Sequence, residues 1–368
     1  MPLRILCYLC LAFLTLPAHA HKASDGYLYL DSDGDRQWQL RIDLALRDLA
    51  LVLPLDRNGN GQITGAELTA SRSDVLGYQA GHLALSNPTG DCQLIPARWG
   101  LSQRSDGPYV ATTYQANCPD AAPPQALRYS MLFEQDALHR GLVQVDLPNQ
   151  QRLAVLAPDS RLLTLGPQAP SALASFASFV REGVVHLLIG LDHLLFLLVL
   201  VLPATLPNRR GQRPPFRQQW LTLAGVITAF TVAHSITLGL AALGLVTLPI
   251  ALVETVIALS IAVAAINILW PVLGRKTWKL AFVFGLVHGF GFASVLSELT
   301  TTTPHLVLAL AGFNVGVELG QLGLLILVYP LLSGLALAPG YRRVMVPAMI
   351  AGVSTVSLLW VIERATAI

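Results

Sequence analysis

From residue 181 onward the sequence is dominated by six long apolar stretches, at roughly 181–203, 220–243, 248–272, 278–298, 305–336 and 343–363. Each is long enough to cross the roughly 30 Å of hydrocarbon in a bilayer as a helix. No water is available there to bond a free N–H or C=O. A spanning chain must therefore satisfy its backbone internally, as helices or as a closed barrel. Long apolar runs without strict alternation predict helices. The fifth stretch is long enough to tilt or break. Residues 173–368 are expected to form a membrane α-helical bundle of about six spans.

The remaining half has a different composition. The whole chain is 53% hydrophobic and 12% charged, against about 25% charged in soluble proteins. The deficit lies almost wholly in the second half. Residues 1–20, "MPLRILCYLCLAFLTLPAHA", have Arg4, an apolar core from Ile5 to Leu16 and small residues at Ala18 and Ala20. That pattern predicts a signal peptide cleaved before His21, with an uncleaved anchor helix as the alternative. Residues 21–172 are then an exported domain.

The loops between the apolar stretches give an orientation. Arg209, Arg210, Arg213 and Arg217 share one loop, Arg275, Lys276 and Lys279 another, and Arg342 and Arg343 a third. The alternate loops, 244–248 and 298–305, hold no Lys or Arg. The positive-inside rule makes the basic loops cytoplasmic. The protein is expected to be a multi-pass protein of the bacterial inner membrane, with the N-terminal domain and the C-terminus in the periplasm. The net charge of +2 says nothing about nucleic acid, and no basic cluster beyond these loops invites it.

Alternating residues around Gly34-Asp35 predict a β-hairpin at the start of the exported domain. Further strands are expected near 108–116, 126–134, 141–147 and 161–165, with a helical insertion at about 45–85. The fold class is a β-rich, sandwich-like domain. Cys92 and Cys118 are its only cysteines, and an exported pair reads as one disulfide. His82 and His139 are isolated and read as surface or core residues.

"DRNGNGQITGAE", residues 56–67, follows the EF-hand calcium loop. Asp56, Asn58 and Asn60 occupy ligand positions 1, 3 and 5, and Gly61 the sharp turn at 6. Gln62 offers its carbonyl at 7, Thr64 acts through water at 9, and Glu67 is the bidentate acid at 12. Two carboxylates are few for calcium, so affinity is expected at the weak end, about 10⁻⁴ to 10⁻³ M. The alternative is an ordered loop that binds nothing.

The apolar stretches carry a sparse polar set: His186, Asp192 and His193 in the first, His234 with Ser235 in the second, and Glu254 in the third. His288 lies in the fourth, and Asn314, Glu318 and Gln321 in the fifth. Ionisable groups within a bilayer are costly and usually mark a pathway. Four imidazoles and three carboxylates, without an amine or guanidinium at mid-span, make the donor mixture of a divalent transition metal. On an unbroken helix His186 and His193 would lie about 10.5 Å apart along the axis. Either the helix breaks near Gly190 or the two serve successive sites. Gly312, Gly316 and Gly320 make a small-residue ridge, and Gly285 and Gly289 a second one beside His288.

With "HLLIGLDH", "FTVAHSITL", "VETVIALSIAVAAIN", "FGLVHGFGFA" and "FNVGVELGQ", the chain resembles the HupE/UreJ family of hydrogenase- and urease-accessory membrane proteins. It is most similar to a branch with an exported N-terminal domain, which "SDGYLYL", "ALRDL" and "DRNGNGQITGAEL" also resemble. The resemblance implies nickel or cobalt permeation, with metalloenzyme maturation proteins as candidate partners. It implies that His186, Asp192 and His193 carry the metal and that His288 belongs to the second family motif. Where other members have a second histidine in that motif, this chain has Phe290, Gly291 and Phe292.

Three functions stand on these residues. The first is a nickel or cobalt permease, with His186, Asp192, His193, His234, Glu254, His288 and Glu318 as metal donors and Ser235, Asn314 and Gln321 supporting them. No P-loop is present, so active transport would draw on a gradient or on partners. The second is an intramembrane zinc hydrolase. The third is a metal sensor or assembly protein acting through the exported domain.

Overall fold

The computed structural model describes residues 24–32, 38–104, 107–147, 150–166, 171–207, 215–246, 248–273, 277–297 and 304–365. The expected signal peptide, the Gly34-Asp35 turn, the 298–303 part of one loop without Lys or Arg, and Arg209, Arg210, Arg213, Arg275 and Lys276 lie outside the described residues. Two compact units fall within Lys22–Ser178 and within Phe179–Glu298 with Leu310–Ile368.

The first unit is β-rich. Its six-stranded sheet has the order β5-β6-β2-β1-β8-β9. These strands are β1 (Asp25–Ser32), β2 (Trp38–Ala45), β5 (Gln93–Arg104), β6 (Gly107–Asn117), β8 (Arg140–Leu147) and β9 (Gln150–Leu156). The four-stranded sheet has the order β10-β7-β3-β4, with β3 (Leu83–Asn87), β4 (Gly90–Asp91), β7 (Ala126–Tyr129) and β10 (Leu162–Thr164). Alternation sends Leu28 and Leu30 of β1 and Leu40, Ile42 and Leu44 of β2 inward. They share one core with Leu85 of β3, Leu127 of β7 and Leu163 of β10. Burying each such side chain contributes about 1.5–3 kcal/mol, so this shared core is what joins the two sheets.

Strand β5 was not expected, because Pro96 interrupts its pattern. The structure accommodates the proline at an irregularity between Pro96 and Arg98, on an edge strand where a missing N–H is tolerated. The segment expected as a strand to residue 134 ends at Tyr129 and passes into turns. The Cys92–Cys118 disulfide forms. It flanks the Gln93–Asn117 pair and so closes the open end of the β5–β6 hairpin. The insertion between β2 and β3 is helical in part, as α1 (Leu46–Leu49), α2 (Gly65–Ala70) and α3 (Arg72–His82).

Gly26 and Gly141 pair across β1 and β8. A Cβ at Gly141 would come 2.9 Å from the Tyr129 ring, and one at Gly26 would strike the Tyr129 hydroxyl. The two glycines therefore open the slot in which Tyr129 is buried. Tyr129 Oη lies 2.5 Å from His139 Nε2, and Ser24 Oγ lies 2.7 Å from His139 Nδ1. Ser24 Oγ also donates to Asp136 Oδ2 at 2.7 Å. Burial pushes the imidazole of His139 down to about 3, so it stays neutral in the core.

The second unit is helical. Its elements are α4 (Ala172–Ile189), α5 (Leu191–Val201), α6 (Phe216–Ala242), α7 (Ile250–Leu269), α8 (Thr277–Ser297), α9 (Pro304–Leu335) and α10 (Val346–Ala365). Among the described residues five helices are long and apolar enough to cross a membrane: Ala172–Ile189, Phe216–Ala242, Ile250–Leu269, Leu306–Leu335 and Tyr341–Ala365. Leu191–Thr205 is a shorter apolar helix, and α8 covers the fourth apolar stretch. The fifth stretch does not break: α9 runs continuously for 32 residues with Pro330 inside it.

Glycines set the helix spacing. A Cβ at Gly183 would run into Phe313 O, and one at Gly316 into Val180 O. Cβ atoms at Gly285 and Gly289 would meet Phe230 O and His234 O. The α4–α9 and α6–α8 backbones are thus in direct contact, which small residues alone permit.

Candidate functional site

The first apolar stretch is two helices. Gly190 separates α4 from α5 with φ −66° and ψ 96°, an extended conformation. A Cβ at this position would come 2.5 Å from His193 Nδ1 and 3.1 Å from His186 O, so only glycine leaves room for the imidazole. The break draws His186 and His193 to 5.0 Å between ring centroids, about half the axial separation an unbroken helix would impose. Asp192 lies in the first turn of α5, where the helix dipole favours an anion. Its Oδ1 accepts from His193 N at 2.9 Å. The same oxygen is 3.0 Å from His193 Nδ1. Asp192 therefore serves its own chain neighbour rather than a histidine on another helix.

His288 of α8 lies 5.7 Å from the His193 ring and is 2% exposed. The close α6–α8 contact at Gly285 and Gly289 brings it beside Phe230 and Phe196, at 5.4 and 5.2 Å. Its Nε2 is 3.3 Å from Ser260 Oγ, whose own proton goes to Ile257 O at 2.7 Å. Ser260 thus accepts, His288 Nε2 carries the hydrogen, and the lone pair is on Nδ1. That Nδ1 is buried without a hydrogen-bond partner.

His234 of α6 is treated in the same way from the other side. Its Nδ1 lies 3.1 Å from Asn314 Oδ1. Asn314 Nδ2 donates to Leu310 O at 2.8 Å, which fixes the amide with its oxygen towards the ring. An amide oxygen only accepts, so Nδ1 carries the hydrogen and Nε2 the lone pair. Nε2 is likewise buried without a partner. Orientation of an imidazole through its other nitrogen is the usual arrangement behind a metal-binding histidine. Asn314 has the supporting place expected of it. Ser260 was missed: it stands in "VETVIALSI", and no local pattern marks it.

The other candidates go elsewhere. Glu318 Oε1 accepts from Thr228 Oγ1 at 2.6 Å and Gln321 Oε1 from Thr231 Oγ1 at 3.1 Å, so the polar face of α9 pairs with α6. Ser235 Oγ bonds back to Thr231 O at 2.7 Å along its own helix. Glu254 is paired with Arg364, Nε to Oε2 at 4.0 Å. Among the described residues no group of three or more His, Cys, Asp or Glu is gathered so as to hold a metal ion. The rings of His186, His193 and His288 form a row and not a cage.

In the 56–67 loop Gly61 takes φ +80°, and Asp56 Oδ2 accepts from Gly61 N at 2.8 Å. Glu67 Oε1 accepts from Arg57 N and Asn58 N, and Oε2 from Thr64 N and Thr64 Oγ1. These bonds, that from the Thr64 N–H foremost, hold Glu67 below its ordinary range. Asn58 and Asn60 accept from Asn60 N and Gln62 N. The oxygen set suits calcium chemically, but Glu67 is fully engaged as the capping box of α2. The helices that flank this loop, within the helical insertion expected at about 45–85, are α1, a single turn, and α2 followed by α3 from Arg72. No EF-hand helix pair is formed among the described residues.

An apolar helical bundle with buried histidines, two of them oriented by hydrogen bonds, in a chain that also carries a disulfide-closed β-rich unit, defines a polytopic membrane protein with a polar interior. A family model described as "HupE / UreJ protein" matches residues 165–364. The chain belongs to the HupE/UreJ family. No curated protein matches it.

Proposed function

We propose that the bundle is a permease for a divalent transition metal, nickel or cobalt, in the bacterial inner membrane. One observation carries this reading: His234 Nε2 and His288 Nδ1 are buried lone pairs without partners, each fixed by a hydrogen bond on the opposite nitrogen. An unpaired buried acceptor costs about 1–3 kcal/mol, so a ligand that takes both lone pairs would recover that cost. Imidazole nitrogen with a nearby carboxylate suits nickel and cobalt. The spacing of the row also suits cargo: an ion held by few donors at a time is released, whereas a closed four-ligand cage retains it. Asp192, at the break, supplies the negative charge that draws a divalent cation in.

On this reading the β-rich domain lies in the periplasm as an accessory for delivery or gating, and calcium is a weak structural ligand of the 56–67 loop. Calcium binding would take Glu67 from its capping box. Titration of the purified protein should show a heat at about millimolar calcium that is lost in Glu67→Gln; no heat in the wild type ends the calcium assignment.

The permease reading is tested by nickel uptake in cells. His193→Ala should lower uptake by about 100-fold, at or beyond the upper end of the effect of losing an outer partner, with membrane levels of the protein unchanged. Normal uptake in that strain would sink it. Stoichiometric zinc retained through purification would favour the hydrolase instead.

A further inference from the structure

The last helix brings in a cation that the donor set lacks. Arg364 stands in the final turn of α10, which packs on α7. Its Nη1 donates to Glu254 O at 3.0 Å, and its Nε lies 4.0 Å from Glu254 Oε2. The two side chains are 16% and 26% exposed, so the pair is largely withdrawn from the surface. The guanidinium rests 5.4 Å from the Trp360 ring centroid, one turn back on the same helix. It is also close enough to Asp192 and His288 to interact with both electrostatically. One cation therefore pairs with the carboxylate of α7 and lies in electrostatic range of the carboxylate at the Gly190 break.

Two carboxylates in such surroundings need a countercharge, because removing one partner of a buried pair leaves an uncompensated charge. A divalent ion arriving beside Asp192 supplies that charge and also repels the guanidinium, since Coulomb forces are weakly screened away from water. Resting on the permease reading, we propose that Arg364 is the resident counter-cation of the path. It balances Glu254 and Asp192 when no divalent ion is bound, and it competes with the ion for them. Arg364 touches no donor nitrogen, so its role is one of positioning and specificity.

The test is nickel titration of the purified full-length protein by calorimetry, with thermal unfolding as a check of the fold. Arg364→Gln should bind nickel about tenfold more tightly, because one repelling charge is gone. Arg364→Lys keeps the charge and should stay close to the wild type. Nickel affinity in Arg364→Gln that is unchanged or weaker, with an unaltered unfolding midpoint, overturns the proposal. Should that variant fail to fold, Glu254→Gln is compared with Glu254→Gln/Arg364→Gln. The double variant must bind nickel more tightly than the single one, and equal affinities overturn the proposal. Absence of nickel binding in the wild type and every variant overturns the permease reading and this one with it, whereas wild-type binding unaffected by Arg364→Gln removes only the latter.

Discussion

His139 of the β-rich unit and His288 of the bundle are both almost wholly buried, at 0% and 2% exposed, yet their rings are treated differently. Both nitrogens of His139 are met, by Ser24 Oγ and Tyr129 Oη. His288 has Ser260 on one nitrogen and no hydrogen bond on the other, and His234 repeats the pattern with Asn314. A closed network stabilises a fold, because every polar group that lost water has gained a partner. On the permease reading, an open one keeps a desolvated lone pair for a ligand. Completion of the hydrogen bonds, rather than burial, is then what separates the structural histidine from the proposed functional ones.

The sharpest way to break that comparison is acid. The folded-state value of His139 lies near 3, below its unfolded value, so the unfolded chain takes up the proton first. The stabilising effect is complete above the unfolded value near 6.5 and is lost as pH falls towards 3, at about 1.4 kcal/mol per pH unit. Unfolding of the β-rich unit in the full-length protein, followed by chemical denaturation, should show this slope, and His139→Gln should flatten it. A slope unchanged in that variant would mean that His139 is not the group responsible.

Next in size is the covalent closure, which the bundle lacks among its described residues. Cys92→Ser/Cys118→Ser should destabilise the β-rich unit by about 3–4 kcal/mol for a loop of this length, with nickel uptake unchanged in surviving protein. An uptake defect as large as the stability defect would show that the two units are not separable in function.

The smallest effects sharpen the comparison most. Ser24→Ala should cost the β-rich unit about 1–2 kcal/mol by leaving His139 Nδ1 unmet, and it should leave metal binding alone. Ser260→Ala should do the reverse, lowering nickel affinity about tenfold by freeing the His288 tautomer with little change in unfolding midpoint. Equal stability losses and unchanged affinity in both variants would make His288 another closed core histidine.

The sequence exposed much of this architecture. Alternation in β1 and β2 and the long apolar runs of the helices report burial locally, through side-chain periods of 2 and 3.6 residues. The disulfide needed only two cysteines in a domain expected to be exported. Strand β5 escaped because Pro96 breaks its pattern and only pairing with β6 rescues it. Pattern reading of residues 56–67 found the oxygens but not how short α1 is, because a loop motif does not specify the length of the helix before it.

Within the site, the sequence by itself determined which chemistry was present. Histidines and carboxylates in apolar helices are too costly to be incidental, and a glycine between His186 and His193 allowed a break. Only the tertiary structure decided how they are used. Gly190 takes ψ 96° because His193 occupies the space of a side chain. Ser260 meets His288 from 28 residues away, Asn314 meets His234 from 80, and Arg364 meets Glu254 from 110. The physical reason is that periodicity encodes whether a side chain leaves water. Which partner satisfies it, and which nitrogen is left over, is set by helices whose spacing depends on glycine contacts that no local pattern describes.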